Sequence, residues 1–340
     1  MRTLPRLLAS IGAAVALCGE ISAGWEVVYL HPFEGGGAHS VAYDVRHGQQ
    51  VGSVASTGYG AAAAMWSGSA QSWRTLAPPG ASISVAYATD GLLQGGYATF
   101  QMTGRAPALW HGAPATWQNL HSTMVKQSGV IYAMTDRYRV GYFIPRISPE
   151  ACMWDAAGAL RSLHSRSFSS STAFGVDEHH QVGVAHIAYG PTHAVMWTGS
   201  AESWVDLHPF GYGTSEARAV DGGQQVGYVV PKGLPRASLW TGTAESWVDL
   251  TPEGFTSSAA NDVHRGVQVG YSNRSDSPRA GLWRGTPESW QDLHLLLPSY
   301  YTYSVAYGVW VDDDGRIFVV GTAHNGALRR GEAIMWVGEV

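Results

Sequence analysis

The chain has 340 residues, 45% of them hydrophobic and 14% charged, which is enough for a large core and too apolar for disorder. Its formal charge of -5 is spread without blocks of like sign, so it lacks the basic face that nucleic acid or an anionic membrane requires. Forty-two glycines, 14 tryptophans and few charges favour short strands and tight turns over long helices.

The first 23 residues read as a signal peptide. "MRTLPR" is basic, Leu7 to Cys18 is an apolar run, and "GEISA" ends in small residues, with cleavage expected after Ala23. A lipid anchor on Cys18 and a retained segment are the alternatives. The apolar run is too short to span a bilayer, so no stable membrane insertion is expected after cleavage. The protein is expected to be secreted or extracellular, with the cell surface and periplasm open. The remaining domain, 24–340, keeps one cysteine, Cys152, and must be stabilised by packing without a disulfide.

From there the chain repeats. A Trp ends an apolar run at 66, 110, 154, 197, 240, 283 and 336, spaced 44, 44, 43, 43, 43 and 53 apart. A second Trp column falls at 25, 73, 117, 204, 247 and 290, with Leu160 in the missing place. A Val-Gly step recurs with glycines 52, 96, 141, 183, 227, 270 and 321. One copy reads as four short strands, "SEARAVD" (215–221), "QVGYVV" (225–230), "RASLWTG" (236–242) and "SWVDL" (246–250), joined by turn chemistry. Four strands in about 43 residues describe a propeller blade. The expectation is an all-β, seven-bladed β-propeller of four-stranded blades. The chain enters on a fourth-type strand, "GWEVVYL" (24–30), and ends on a third-type strand, "AIMWVG" (333–338). The N-terminal strand should therefore complete the last blade and close the ring.

"HAVMW" (193–197), "RAPALW" (105–110) and "RASLW" (236–240), each leading into a Gly-containing turn and a Trp-bearing strand, resemble the HAF-type extracellular repeat family. The "A-x-x-V-D" and "Q-Q-V-G" segments are similar too. Val195 stands where the family usually has Phe, and other blades carry Arg-Ala or Ala-Ala for His-Ala. The resemblance implies a secreted bacterial propeller and carries no catalytic residues over.

The Trp columns invite a sugar-stacking reading, but their fixed places within strands favour packing between blades. A histidine column after the fourth strand (His31, His121, His164, His208, His294) cannot converge on one metal ion, because equivalent sites on successive blades lie far apart. It resembles the bracing His of WD-repeat propellers, with a part in ligand binding as the other reading. Asp90, Asp136, Asp177 and Asp221 suit tight turns. "VDDDGR" (311–316) lacks the further ligands of a calcium loop. No "HExxH", "CxxC", phosphate loop or "GxSxG" occurs, so no catalytic residue, metal or cofactor is assigned.

Function is better sought where the repeat breaks. Blade 7 is longer by about ten residues through "HLLLPSYYTYSVAYGVW" (294–310), followed by "TAHNGALRRGEA" (322–333). The candidate ligand-binding residues are Tyr300, Tyr301, Tyr303, Trp310, His324, Arg329 and Arg330, and the alternative is that this segment merely seals the closing blade. The expected function is a non-catalytic binding propeller that recognises an extracellular glycan or protein. The alternative is an extracellular polysaccharide hydrolase or lyase with its site over the central channel.

Overall fold

Each repeat folds into a four-stranded antiparallel sheet, and seven sheets form the ring. The computed structural model describes residues 24–32, 37–56, 60–101, 104–121, 128–187, 190–275 and 277–339. The expected signal peptide, 1–23, lies outside them. Blade 5 shows the plan. Its strands A (Thr214–Asp221), B (Gln224–Val230), C (Arg236–Trp240) and D (Val248–Asp249) lie side by side in that order.

Strand D is shorter than its sequence suggests, and the turn before it is the reason. Gly242 takes φ 92° and donates its N–H to Gln225 Oε1 at 2.7 Å. Ser246 Oγ accepts from Thr241 N at 2.8 Å and donates to Thr243 O at 2.6 Å, clasping a 3-10 turn over Ala244–Ser246. Residues held in that turn cannot extend the strand. Ser72, Thr116, Ser203 and Ser289 make the same clasp in their own blades.

The ring closes as the order of strand types predicts. Strand Glu26–Tyr29 pairs antiparallel with Arg330–Glu339, with Glu26 opposite Val337, and so supplies strand D of blade 7. The C-strand tryptophans are all at most 1% exposed and fill the spaces between blades. Their indole N–H groups meet no acceptor among the described residues, so packing of the buried rings holds them without a hydrogen bond. The second column is half-buried, and Trp117, Trp204, Trp247 and Trp290 each pack on another aromatic ring.

The histidine column braces neighbouring blades. His31, His164, His208 and His294 each place Nδ1 2.7 or 2.8 Å from a serine Oγ on strand A of the next blade. That serine also accepts the backbone N–H of an alanine on strand C of the histidine's own blade: Ala333, Ala151, Ala194 and Ala280. Thr251 takes the histidine's place toward Ser258 at 2.7 Å.

Candidate functional site: the central channel

Strand A lines the channel in every blade, and in every blade its pairing with strand B slips by one residue. In blade 1, Ala42 faces Gly52 and Asp44 faces Val51, leaving Tyr43 as a bulge. The same slip leaves out Tyr87, Tyr132, Phe174, Arg218, Asn261 and Tyr307. All seven of these residues line the waist of the channel. The bulge also explains the Val-Gly step. A Cβ on Gly52 would stand 1.9 Å from Val41 O, and one on Gly227 would stand 1.9 Å from Glu216 O, so only glycine fits opposite the bulge.

Five of the seven waist residues are aromatic and adjacent. Centroid distances run 5.3 Å for Tyr307–Tyr43, 5.0 Å for Tyr43–Tyr87, 5.3 Å for Tyr87–Tyr132 and 5.2 Å for Tyr132–Phe174. Burial pushes the Tyr87 hydroxyl up to about 12 and raises Tyr43, Tyr132 and Tyr307 as well, so the belt stays uncharged. The belt is interrupted at blades 5 and 6. There Arg218 Nη1 donates to Asn261 Oδ1 at 2.5 Å and Arg218 Nε donates to Glu216 Oε1 at 2.9 Å. The space left at the waist is about 110 Å³.

Two carboxylates stand beside the belt on either side of blade 7, Asp44 on blade 1 and Asp262 on blade 6. Each crosses to the next blade: Asp44 Oδ2 accepts from Thr89 N and Asp262 Oδ2 from Val309 N, both at 2.8 Å. Although half-buried by area, both lie deep in the ring. Burial, reinforced by the charge of Asp44, raises Asp262 to about 7, and burial raises Asp44. His264 Nδ1 accepts from Val311 N at 3.0 Å, and burial followed by the nearby Arg46 pulls it down to about 3.

Above the waist the channel widens into a mouth of about 600 Å³, lined by the turns between strands A and B. Its wall is divided by charge. Blades 2 to 5 contribute Asp90, Asp136, Asp177, Glu178 and Asp221, with His179 and His180 beside Asp177, whereas blade 1 contributes Arg46 and His47. Arg46 lines both the mouth and the waist. Its guanidinium lies 5.1 Å over the Trp310 ring and has no hydrogen-bond or ion-pair partner among the described residues. Trp310 is itself stacked on His264 at 4.2 Å and tilted against His47 at 4.6 Å. Among the described residues, no group of three or more His, Cys, Asp or Glu is arranged to hold a metal ion.

The candidate residues of blade 7 fall into two places. Trp310 sits near the mouth, nine positions along strand Tyr301–Val311 from Tyr301, or roughly 30 Å of extended chain. The others gather at the far end. Tyr301, 3% exposed, donates its hydroxyl to Glu332 Oε2 at 2.5 Å, and Arg330 Nε donates to Glu332 Oε1 at 2.7 Å. Tyr303 stacks on His324 at 4.9 Å and 3°, Tyr300 is 46% exposed, and Arg329 turns the hairpin tip at φ 53°. The segment is sheet more than loop: the extra residues lengthen the three strands to 11, 10 and 10 residues.

Sequence reasoning misses the waist residues, although a signal exists. Tyr43, Tyr87, Tyr132, Phe174, Arg218 and Asn261 each precede the repeated glycine by nine positions.

No family model matches the chain, and no curated protein matches it. Solved structures do. The β-propeller domain of the Trilobed protease from Pyrococcus furiosus, described as having an open velcro topology, superposes with a TM-score of 0.61 at 10% identity, covering 88% of this chain and 95% of that one. An acylaminoacyl peptidase in complex with a chloromethyl ketone gives 0.59 at 13% identity, covering 89% and 52%. A puromycin hydrolase gives 0.57 at 11%, covering 89% and 54%. The chain spans about half the length of these last two proteins. At such identities the likeness establishes the fold.

These neighbours correct the expectation of a pure binding propeller for an extracellular glycan or protein, because the ring is shared with a protease and an acylaminoacyl peptidase. The geometry agrees with that correction. One Trp column is buried, the other is half-buried with four of its six members packed on aromatics, and neither offers a row of free sugar platforms. The polysaccharide-cleaving alternative is withdrawn with it. Among the described residues no helix is long and apolar enough to cross a membrane.

Proposed function

We propose that this chain is a peptidase-associated propeller, whose channel admits unfolded peptide and turns away folded protein. The observation that carries this reading is the shape of the channel: a charged mouth of about 600 Å³ leading to an aromatic waist of about 110 Å³. A mouth of that volume takes a short chain segment, and the waist stops it. The peptidase propellers among its structural neighbours support the association. The HAF-type resemblance and the leader-like first 23 residues support a position outside the cytoplasm.

The test is fluorescence anisotropy with labelled oligopeptides of two to ten residues against the purified domain. Short peptides should bind and labelled oligosaccharides should not. The double variant Tyr87→Ala, Tyr132→Ala, which widens the waist, should increase the length of peptide accepted. If no peptide binds up to millimolar concentration, the reading is wrong.

A further inference from the structure

We infer that Arg46 is the receptor for the C-terminal carboxylate of a short peptide lying in the channel mouth. The inference rests on the peptide reading above and gives it an orientation.

Three features of the mouth lead there. Arg46 is the one Lys or Arg on its wall among the described residues, and its guanidinium makes no hydrogen bond or close ion pair there. By contrast, Arg218 has Glu216, Arg265 has Asp313, Arg279 has Asp292 and Arg330 has Glu332. Second, Arg46 is anchored rather than loose. Trp310 lies under it at 5.1 Å, and Trp310 is in turn held between His264 and His47, so the donors are fixed before a ligand arrives. A guanidinium presents a planar fork of N–H groups that matches a carboxylate in two-point contact. Third, the acidic side chains of the mouth repel an anion. Carboxylates from blades 2 to 5 line the rest of the wall, beside His179 and His180, so the one permanent positive charge for a carboxylate is at blade 1, and a free amino end is drawn toward the acidic blades. Asp44 and Asp262 lie within the field of Arg46, and burial keeps Asp262 partly protonated at neutral pH, so Asp262 offsets that field only in part.

Trp310 breaks the repeat for the same reason: it is the platform that aims Arg46, and it need not touch the ligand.

The test is calorimetric titration of tetra-alanine, its C-terminal amide and its N-acetyl form into the unaltered domain. The amide should bind roughly 10- to 100-fold more weakly than the free acid, the loss expected for one charge-assisted contact. N-acetylation should weaken binding by a smaller factor. Arg46→Gln should weaken the free acid to the level of the amide and leave the amide unchanged, with Arg46→Lys in between. If free acid and amide bind equally, the assignment fails while the peptide reading stands. If Arg46→Gln weakens both equally, Arg46 acts by shaping the mouth and the assignment also fails. If no form binds, both fall together. The comparison of acid with amide needs no variant, so a folding defect in the substitutions cannot hide the answer.

Discussion

At the scale of single residues, the repeat is a set of steric and electrostatic solutions applied seven times. The glycine opposite each bulge is the strictest. Gly227→Ala would force a methyl group to within 1.9 Å of Glu216 O, and its close neighbours are all backbone atoms that cannot rotate aside. Denaturant melts should show a loss of at least about 3 kcal/mol, if the variant folds at all. Asp262 and His264 make a second prediction, because they titrate with opposite sign. Asp262 is raised from 3.8 to about 7, so the folded state holds its proton longer, and its contribution to stability falls as pH rises through that window. His264 is lowered from 6.5 to about 3, so the unfolded state takes the proton first, and its contribution falls as pH drops below 6.5. Between about pH 4 and 6.5 the two offset each other. Asp262→Asn should therefore leave a protein whose melting temperature falls more steeply on acidification, and His264→Gln one whose melting temperature falls as pH rises toward 7. Thermal melts across pH 4 to 8 check both.

At the scale of strands and turns, the contrast is between what repetition reveals and what pairing conceals. The histidine column is legible as bracing because five of seven blades carry it at one place. The structure adds its partner, the serine that joins His to the backbone of strand C. Ser215→Ala should leave both His208 Nδ1 and Ala194 N–H without their partner and cost about 2 kcal/mol in urea unfolding. Ser203→Ala, at the exposed clasp of the same chain, should cost clearly less in the same measurement.

The bulges are not legible in the same way. A bulge exists only when two strands are paired, so the column that forms them has no residue type of its own, and its members differ as widely as Tyr43, Arg218 and Asn261. Blade 7 misleads for a related reason. Tyr300 to Tyr303 look like loop residues because the usual blade has no counterpart for them, yet all but the first lie in a strand, with Tyr301 buried and Thr302 exposed. Strand D is overread from sequence, because the clasp that shortens it lies in hydrogen bonds of Ser246 that spacing does not show.

At the scale of the whole molecule, the ring count, blade composition and closure are all legible, since each follows from the number of copies and from where the pattern is entered and left. The channel is not. It is made by seven segments each more than 40 positions from the next, and only the closed ring brings Arg46, Trp310 and Asp262 together. Closure should also dominate stability. Removing residues 24–30 takes away the partner of Arg330–Glu339 and uncovers an edge. Hydrogen exchange should then show lost protection across 330–339 first, with blades 2 to 4 least affected, and the shortened protein should self-associate.

The pairing of Glu26 with Val337 has a consequence in time as well as in space. The two residues are 311 positions apart, so a ribosome adding about 5 to 20 residues each second needs about 15 to 60 s between them. Throughout that interval the first strand has no blade to join, and the growing sheets form an open arc with two raw ends. Six blades can be finished in order as they emerge, each on the one before it, while the seventh waits for both ends of the ring. The last hydrogen bonds to form are thus the ones that join the beginning of the domain to its end, and a chain interrupted shortly before Val337 is left as an arc with an unpaired strand at each lip.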